Sequence, residues 1–160
     1  MPDQKGFTLL EVLIALLVVA IGVLGHAKMQ VKSMDTAQRA SFSQTANTAL
    51  LDLAQRMRAN SDAASGFVSS NLTTGDSITA SINCSTNNCS ASEFAEYELA
   101  EWFTHLQGSL PSPRFSVVSA GNLYTLMLIW DAAKTGVGSD TCDTSKGNSY
   151  QCGSIEVWIP

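Results

Sequence analysis

Apolar residues run almost unbroken near the start of the chain and then change to a patterned alternation. Residues 7–25 give roughly 19 positions interrupted only by Glu11. At about 1.5 Å rise per residue such a helix nearly spans a ~30 Å hydrocarbon core, so this stretch is expected in a membrane. After Ala27 the pattern becomes amphipathic. Val31, Met34, Phe42, Ala46, Ala49, Leu50, Leu53 and Met57 fall mostly at spacings of three, four or their sums, which draws one apolar stripe on a 3.6-residue period. Lys32, Asp35, Gln38, Arg39, Gln44 and Gln55 occupy the opposite face. No proline lies between Phe7 and Asn60, so one helix about 80 Å long fits the whole stretch. The alternative is a membrane helix, a break and a separate soluble helix, with Gly22 and Gly25 each weakening the helix by about 1 kcal/mol relative to alanine.

Residues 61–92 are mainly Ser, Thr, Asn, Gly and Ala and read as a long connection with at most one short strand, at 78–82. Ser90 followed by Glu93 is a capping-box signature, and Phe94, Leu99, Trp102, Phe103, Leu106 and Leu110 then recur at helical intervals until Gly108 and Pro111 end the helix. Strands are expected at 115–119 and 123–131, joined through Ala120-Gly121-Asn122, with a third at 154–159. The implied fold class is α+β: a long helix laying its distal stripe on an antiparallel sheet, with a short helix beside it.

Composition bounds the function. The net charge of -5, with no cluster of Lys and Arg, argues against a nucleic-acid partner. Lys28, Lys32 and Arg39 follow the apolar run and read as a collar where a helix leaves the headgroups. The chain has no nucleophile elbow, no glycine-rich phosphate loop and no His-x-x-x-His, so neither catalysis nor a cofactor is expected. Glu93, Glu96, Glu98 and Glu101 read as a solvated helix face, and Trp102, Trp130 and Trp158 as core anchors.

The four cysteines, Cys84, Cys89, Cys142 and Cys152, suggest two disulfides. Three connectivities are open, closure within each near pair being the simplest. A zinc site is the weaker reading, because the second pair is too widely spaced and His26 and His105 are remote from both pairs. Disulfides imply an oxidising compartment for the soluble part.

An ordinary secretory signal is cut after its apolar stretch. Here the candidate site precedes that stretch, and a carboxylate lies inside it. The segment Gly6-Phe7-Thr8-Leu9-Leu10-Glu11-Val12-Leu13-Ile14-Ala15 resembles the type III signal of type IV pilins and related pseudopilins. Leu51-Asp52-Leu53-Ala54-Gln55-Arg56-Met57-Arg58-Ala59-Asn60 is similar to the helix end of PilV-type minor pilins, departing from it at Gln55, where glutamate is usual. The Cys pair, the Trp-bearing helix, Leu110-Pro111 and Ile129-Trp130-Asp131 resemble that family more weakly.

The resemblance implies a type IV pilin-like fold. Its parts are a leader at 1–6, a transmembrane and assembly helix at 7–27, an amphipathic continuation at 28–60 and a globular head at 61–160. It implies that a prepilin peptidase cuts between Gly6 and Phe7 and methylates the Phe7 amine, and that Glu11 pairs with the Phe7 amine of a neighbouring subunit during assembly. The implied partners are other minor and major pilins and an inner-membrane assembly platform. The protein would wait in the inner membrane with its head in the periplasm, then enter a pilus at the cell surface as a minor pilin that aids assembly initiation, twitching motility and adhesion. A minor pseudopilin of a type II secretion system shares the N-terminal signal. A membrane-anchored extracytoplasmic binding protein is the alternative from another class, and for it Glu11 would have no role.

Overall fold

The computed structural model describes residues 6, 8–70, 78–136, 138, 139, 141, 142 and 149–160. Helix α1 spans Leu9–Ala59 and is continuous through Gly22 and Gly25. A 3-10 helix at Ser61–Phe67 follows, then α2 at Ala91–Ser109 and three strands: β1 at Arg114–Ala120, β2 at Leu123–Trp130 and β3 at Gln151–Trp158. The chain divides into two compact units, residues 1–38 and 39–160.

In the first unit α1 is long and apolar enough to cross a membrane, and its large apolar side chains are exposed. Val31 and Met34, read from the sequence as the start of the packed stripe, belong to this set, at 68% and 72% exposure. Periodicity shows that residues share a helix face, not that anything covers the face.

In the second unit the stripe is real. Ala46, Leu50, Leu53, Ala54 and Met57 are buried, with Phe42 and Ala49 partly so. They share a core with Leu99, Trp102, Phe103 and Leu106 of α2 and with the inner face of the sheet. The sheet order is β1-β2-β3, antiparallel throughout. Its register places Phe115 opposite Leu128 and Val117 opposite Leu126, while Leu126 also faces Ile155 and Tyr124 faces Val157. Alternation by two then turns these residues to one side, where burial of each large side chain contributes about 1.5–3 kcal/mol. Two aromatic contacts knit α2 to β1: the rings of Trp102 and Phe103 lie 4.9 and 5.2 Å from that of Phe115.

The β1–β2 hairpin turns on Gly121-Asn122, and Gly121 has φ +63°, where glycine carries no Cβ penalty. Ser90 caps α2 as its sequence signature requires: its hydroxyl accepts from the Glu93 N–H while the Glu93 carboxylate accepts from the Ser90 N–H at 2.8 Å. The helix runs one residue past Gly108, and Leu110 is its cap.

Four expectations are corrected. Residues 78–82 form no strand; they are irregular backbone and bends leading into a turn in which the Asn83 side chain accepts from the Ser85 N–H. Among the described residues of this connection the isolated pairing is instead Ser69 with Val117, along the open edge of β1. Phe94 is 42% exposed and the smaller Ala95 takes the buried position, because a helix start set at Ser90 turns residue 95 inward. Trp158 is 61% exposed: β3 alternates, its inner positions go to Gly153, Ile155 and Val157, and the outer face receives Trp158 opposite Leu123. Of the helical glutamates, Glu98 is an ion-pair partner rather than a solvated charge.

Candidate processing and assembly segment

Gly6 is exposed, and a Cβ built on it would meet nothing within 4 Å. The fold therefore places no steric demand for glycine there. A need for glycine would have to come from whatever binds the backbone at this point. Phe7, the expected methylation site, lies outside the described residues.

Thr8 immediately precedes α1, and the apolar pattern of the sequence alone gives it no role. Its hydroxyl accepts from the Glu11 N–H at 3.3 Å, and its carbonyl accepts from the N–H groups of Glu11 and Val12 at 3.1 and 3.3 Å. The signal for it was present: Thr8-Leu9-Leu10-Glu11 has the Ser/Thr-x-x-Glu spacing of a capping box. Glu11 is thus an acid in the first turn, where the positive helix terminus favours a carboxylate, and it is exposed. An exposed carboxylate among exposed leucines and valines can make an intersubunit contact, since the chain itself does not enclose it.

The second cluster is the resemblance-bearing stretch at the end of α1. Leu53, Ala54 and Met57 are buried. Between them Arg56 turns outward, its Nε donating to Asp52 at 2.9 Å and its Nη1 to Glu98 of α2. Burial alone would lower the Arg56 pKa; the hydrogen bond with Asp52 and the charge of Glu98 outweigh it and hold the guanidinium above its ordinary value. Asn60 completes the junction by donating to the Ala91 carbonyl at 2.8 Å, at the first turn of α2. Arg58 and Gln55 are exposed.

Gln151 makes a third junction. Its side-chain oxygen accepts from the Ser43 hydroxyl at 3.1 Å and from the Trp130 indole N–H at 3.2 Å, so one residue of β3 ties α1 to β2. Cys152, next along, is bonded to Cys142, and Cys84 is bonded to Cys89; the Cα atoms are 5.8 and 5.7 Å apart. These are the two near pairings. Cys89 immediately precedes the Ser90 cap, where Glu93 is held below the ordinary carboxylate value by the hydrogen bond from the Ser90 N–H and then by that from its hydroxyl.

The distal part of α1 and α2 also border an open groove of about 500 Å³, floored by Trp102 and Leu106 and rimmed by Gln44, Thr48, Asp52 and His105. Among the described residues, no three His, Cys, Asp or Glu converge as a metal-holding group.

No curated protein and no solved structure matches the chain. Residues 1–25 match the family model described as the prokaryotic N-terminal methylation motif. Residues 28–100 match the model described as type IV pilin Tt1218, a span holding most of α1 and the capped start of α2. The exposed apolar helix start thus lies in a segment that matches the methylation motif, and the sheet-packed distal stripe lies in a span similar to type IV pilin Tt1218.

Proposed function

We propose that the chain is a type IV pilin and, within that family, a minor, PilV-type subunit that enters a type IV pilus at or near the complex that initiates its tip, with twitching motility and adhesion depending on it through assembly. The observation that carries the reading is the junction made by Arg56 and Asn60. The same stretch that resembles PilV-type minor pilins is the one that clasps α1 to α2, so the resemblance falls on residues with a structural task.

In this reading a prepilin peptidase cuts between Gly6 and Phe7 and methylates Phe7, and Glu11 pairs with the Phe7 amine of a neighbouring subunit. A charge pair surrounded by hydrocarbon is a strong register device, because a misplaced subunit leaves both groups unpaired. The disulfide-bonded head faces the periplasm before assembly.

N-terminal peptide mass spectrometry of membrane-extracted protein, with and without the prepilin peptidase, tests the processing step. A peptidase-dependent methyl-Phe7 start is expected; an intact Met1 start, or a cut beyond the apolar run, would overturn it. Shearing the cells and quantifying the chain in the pilus fraction tests the destination, with substoichiometric recovery expected. Recovery only with a secretion apparatus would favour the pseudopilin. Glu11→Ala should still be processed but should lower piliation; wild-type piliation and twitching would remove the pairing role.

A further inference from the structure

We propose that the free edge of β3 pairs antiparallel with the same edge of a second copy of this chain, joining the two sheets into one. The proposal goes beyond the assembly reading and stands on the head alone. β3 ends the sheet order, and among the described residues no strand or bridge lies on its other side. The direction of its backbone groups follows from the register. The Ile159 N–H donates to the Asn122 carbonyl at 2.9 Å, one step beyond the Trp158–Leu123 pair. Hydrogen-bonded and non-hydrogen-bonded pairs alternate along an antiparallel ladder, so Val157, Ile155 and Gly153 turn their N–H and C=O groups to β2. Those of Trp158, Glu156, Ser154 and Cys152 point to the free edge. Proteins blunt an edge that must stay single with lysine, proline or a bulge. β3 contains no lysine or proline, and its pairing with β2 is unbroken along its length.

The occupant follows from how well the edge matches itself. Residues that point to the edge must stand opposite one another, and a two-fold axis at Ile155 achieves this with the longest overlap. Ser154 then faces Glu156 of the second copy, Cys152 faces its Trp158, and Ile155 faces its own twin. An axis at Glu156 would set two carboxylates against each other, and an axis at Ser154 would carry Trp158 past the end of the facing strand. In the matched register the half-buried Ile155, at the margin of the core, is covered. Trp158, 61% exposed in the single chain, falls beside the Cys142–Cys152 disulfide of the second copy, a favourable sulfur–aromatic contact. The exposed Glu156 carboxylate accepts from the Ser154 hydroxyl across the seam.

Light scattering and amide hydrogen exchange on the detergent-extracted full chain test the proposal. A dimer is expected as concentration rises, with the amides of Ser154, Glu156 and Trp158 slowing at least about tenfold as it forms, while those of Ile155 and Val157 are protected throughout. Substitutions at the exposed Ser154 test the register. Ser154→Glu sets like charges opposite each other twice and should weaken the dimer about tenfold, whereas Ser154→Lys faces Glu156 of the second copy and should not weaken it. A chain that stays monomeric, a dimer in which the Ser154, Glu156 and Trp158 amides exchange as fast as in the monomer, or equal affinities for the two variants would overturn the proposal.

Discussion

The indole N–H of Trp102 in α2 donates to the backbone carbonyl of Ala49 in α1 at 3.0 Å. That carbonyl also lies in the α1 ladder, so the indole uses its second lone pair and needs no break in the helix. The bond fixes how the two helices meet while the ring packs edge-on against Phe115. Trp102→Phe keeps most of the ring contact and strands no acceptor, so it should cost only about 1 kcal/mol. Trp102→Ala should cost about 3–5 kcal/mol. Denaturant unfolding of the detergent-extracted chain, followed by near-UV circular dichroism, separates the two; equal losses would mean that the hydrogen bond, not the packing, holds this contact.

Gly153 lies beneath α1. A Cβ there would come 3.4 Å from the Asn47 side-chain oxygen and 3.5 Å from Leu50 Cδ1. Alanine at this site meets close but tolerable contacts and gains from a less mobile unfolded chain, so Gly153→Ala should change stability by less than about 1 kcal/mol. Valine adds carbons with nowhere to go and should destabilise by about 1–3 kcal/mol. The same unfolding assay reads both, and a neutral Gly153→Val would show that α1 can lift from the sheet at low cost.

Arg56 serves two carboxylates, Asp52 and Glu98. Its removal leaves Glu98, whose side chain is 21% exposed, without its partner. Because Asp52 is 48% exposed and well screened, most of the loss should come from Glu98. Arg56→Ala should cost about 1–2 kcal/mol, and Arg56→Ala combined with Glu98→Gln should cost less than the sum of the two. A double-mutant cycle at low and high salt checks this; strict additivity would deny the pairing.

Glu93 predicts a pH dependence with a definite sign. Its folded pKa lies below the ordinary value of 4.5, so the capping box contributes fully above that value and its contribution is lost as pH falls through the lower folded pKa. The melting temperature of wild type should therefore exceed that of Glu93→Gln near neutral pH, and the gap should close under acid conditions. A gap that persists at low pH would assign the difference to something other than the carboxylate charge.

Local signatures in the sequence located the capped start of α2 and the Gly121 turn, because each is settled within a few residues by hydrogen bonds the chain makes with its neighbours. Burial was harder. Val31 and Met34 have the spacing of a packed stripe yet are exposed, and Trp158 has the residue type of a core anchor yet faces outward. What covers a face is decided by distant parts of the chain, and neither period nor residue type reports it. The 3-10 helix at Ser61–Phe67 was hidden by a composition that favours turns, and its anchors, Ala63, Ala64 and Phe67, are too few to draw a period. In the N-terminal segment the apolar run dominates the pattern and hides the Thr8-x-x-Glu11 spacing, so the contact of the Thr8 hydroxyl with the Glu11 N–H is plain only in the fold.

The place of β3 in the core sets an order of events. Leu50 meets its cover at Gly153, about one hundred residues later in the chain, and Val157 and Ile159 are buried with it. While the chain is being made, the distal stripe of α1 therefore exists for most of that time without its sheet. Until β3 arrives, Leu50 lacks the cover that Gly153 gives it and is open to misassociation. Head folding is a late step that waits on nearly the whole chain, and a stall before residue 151 would leave the Leu50 face of α1 incompletely covered.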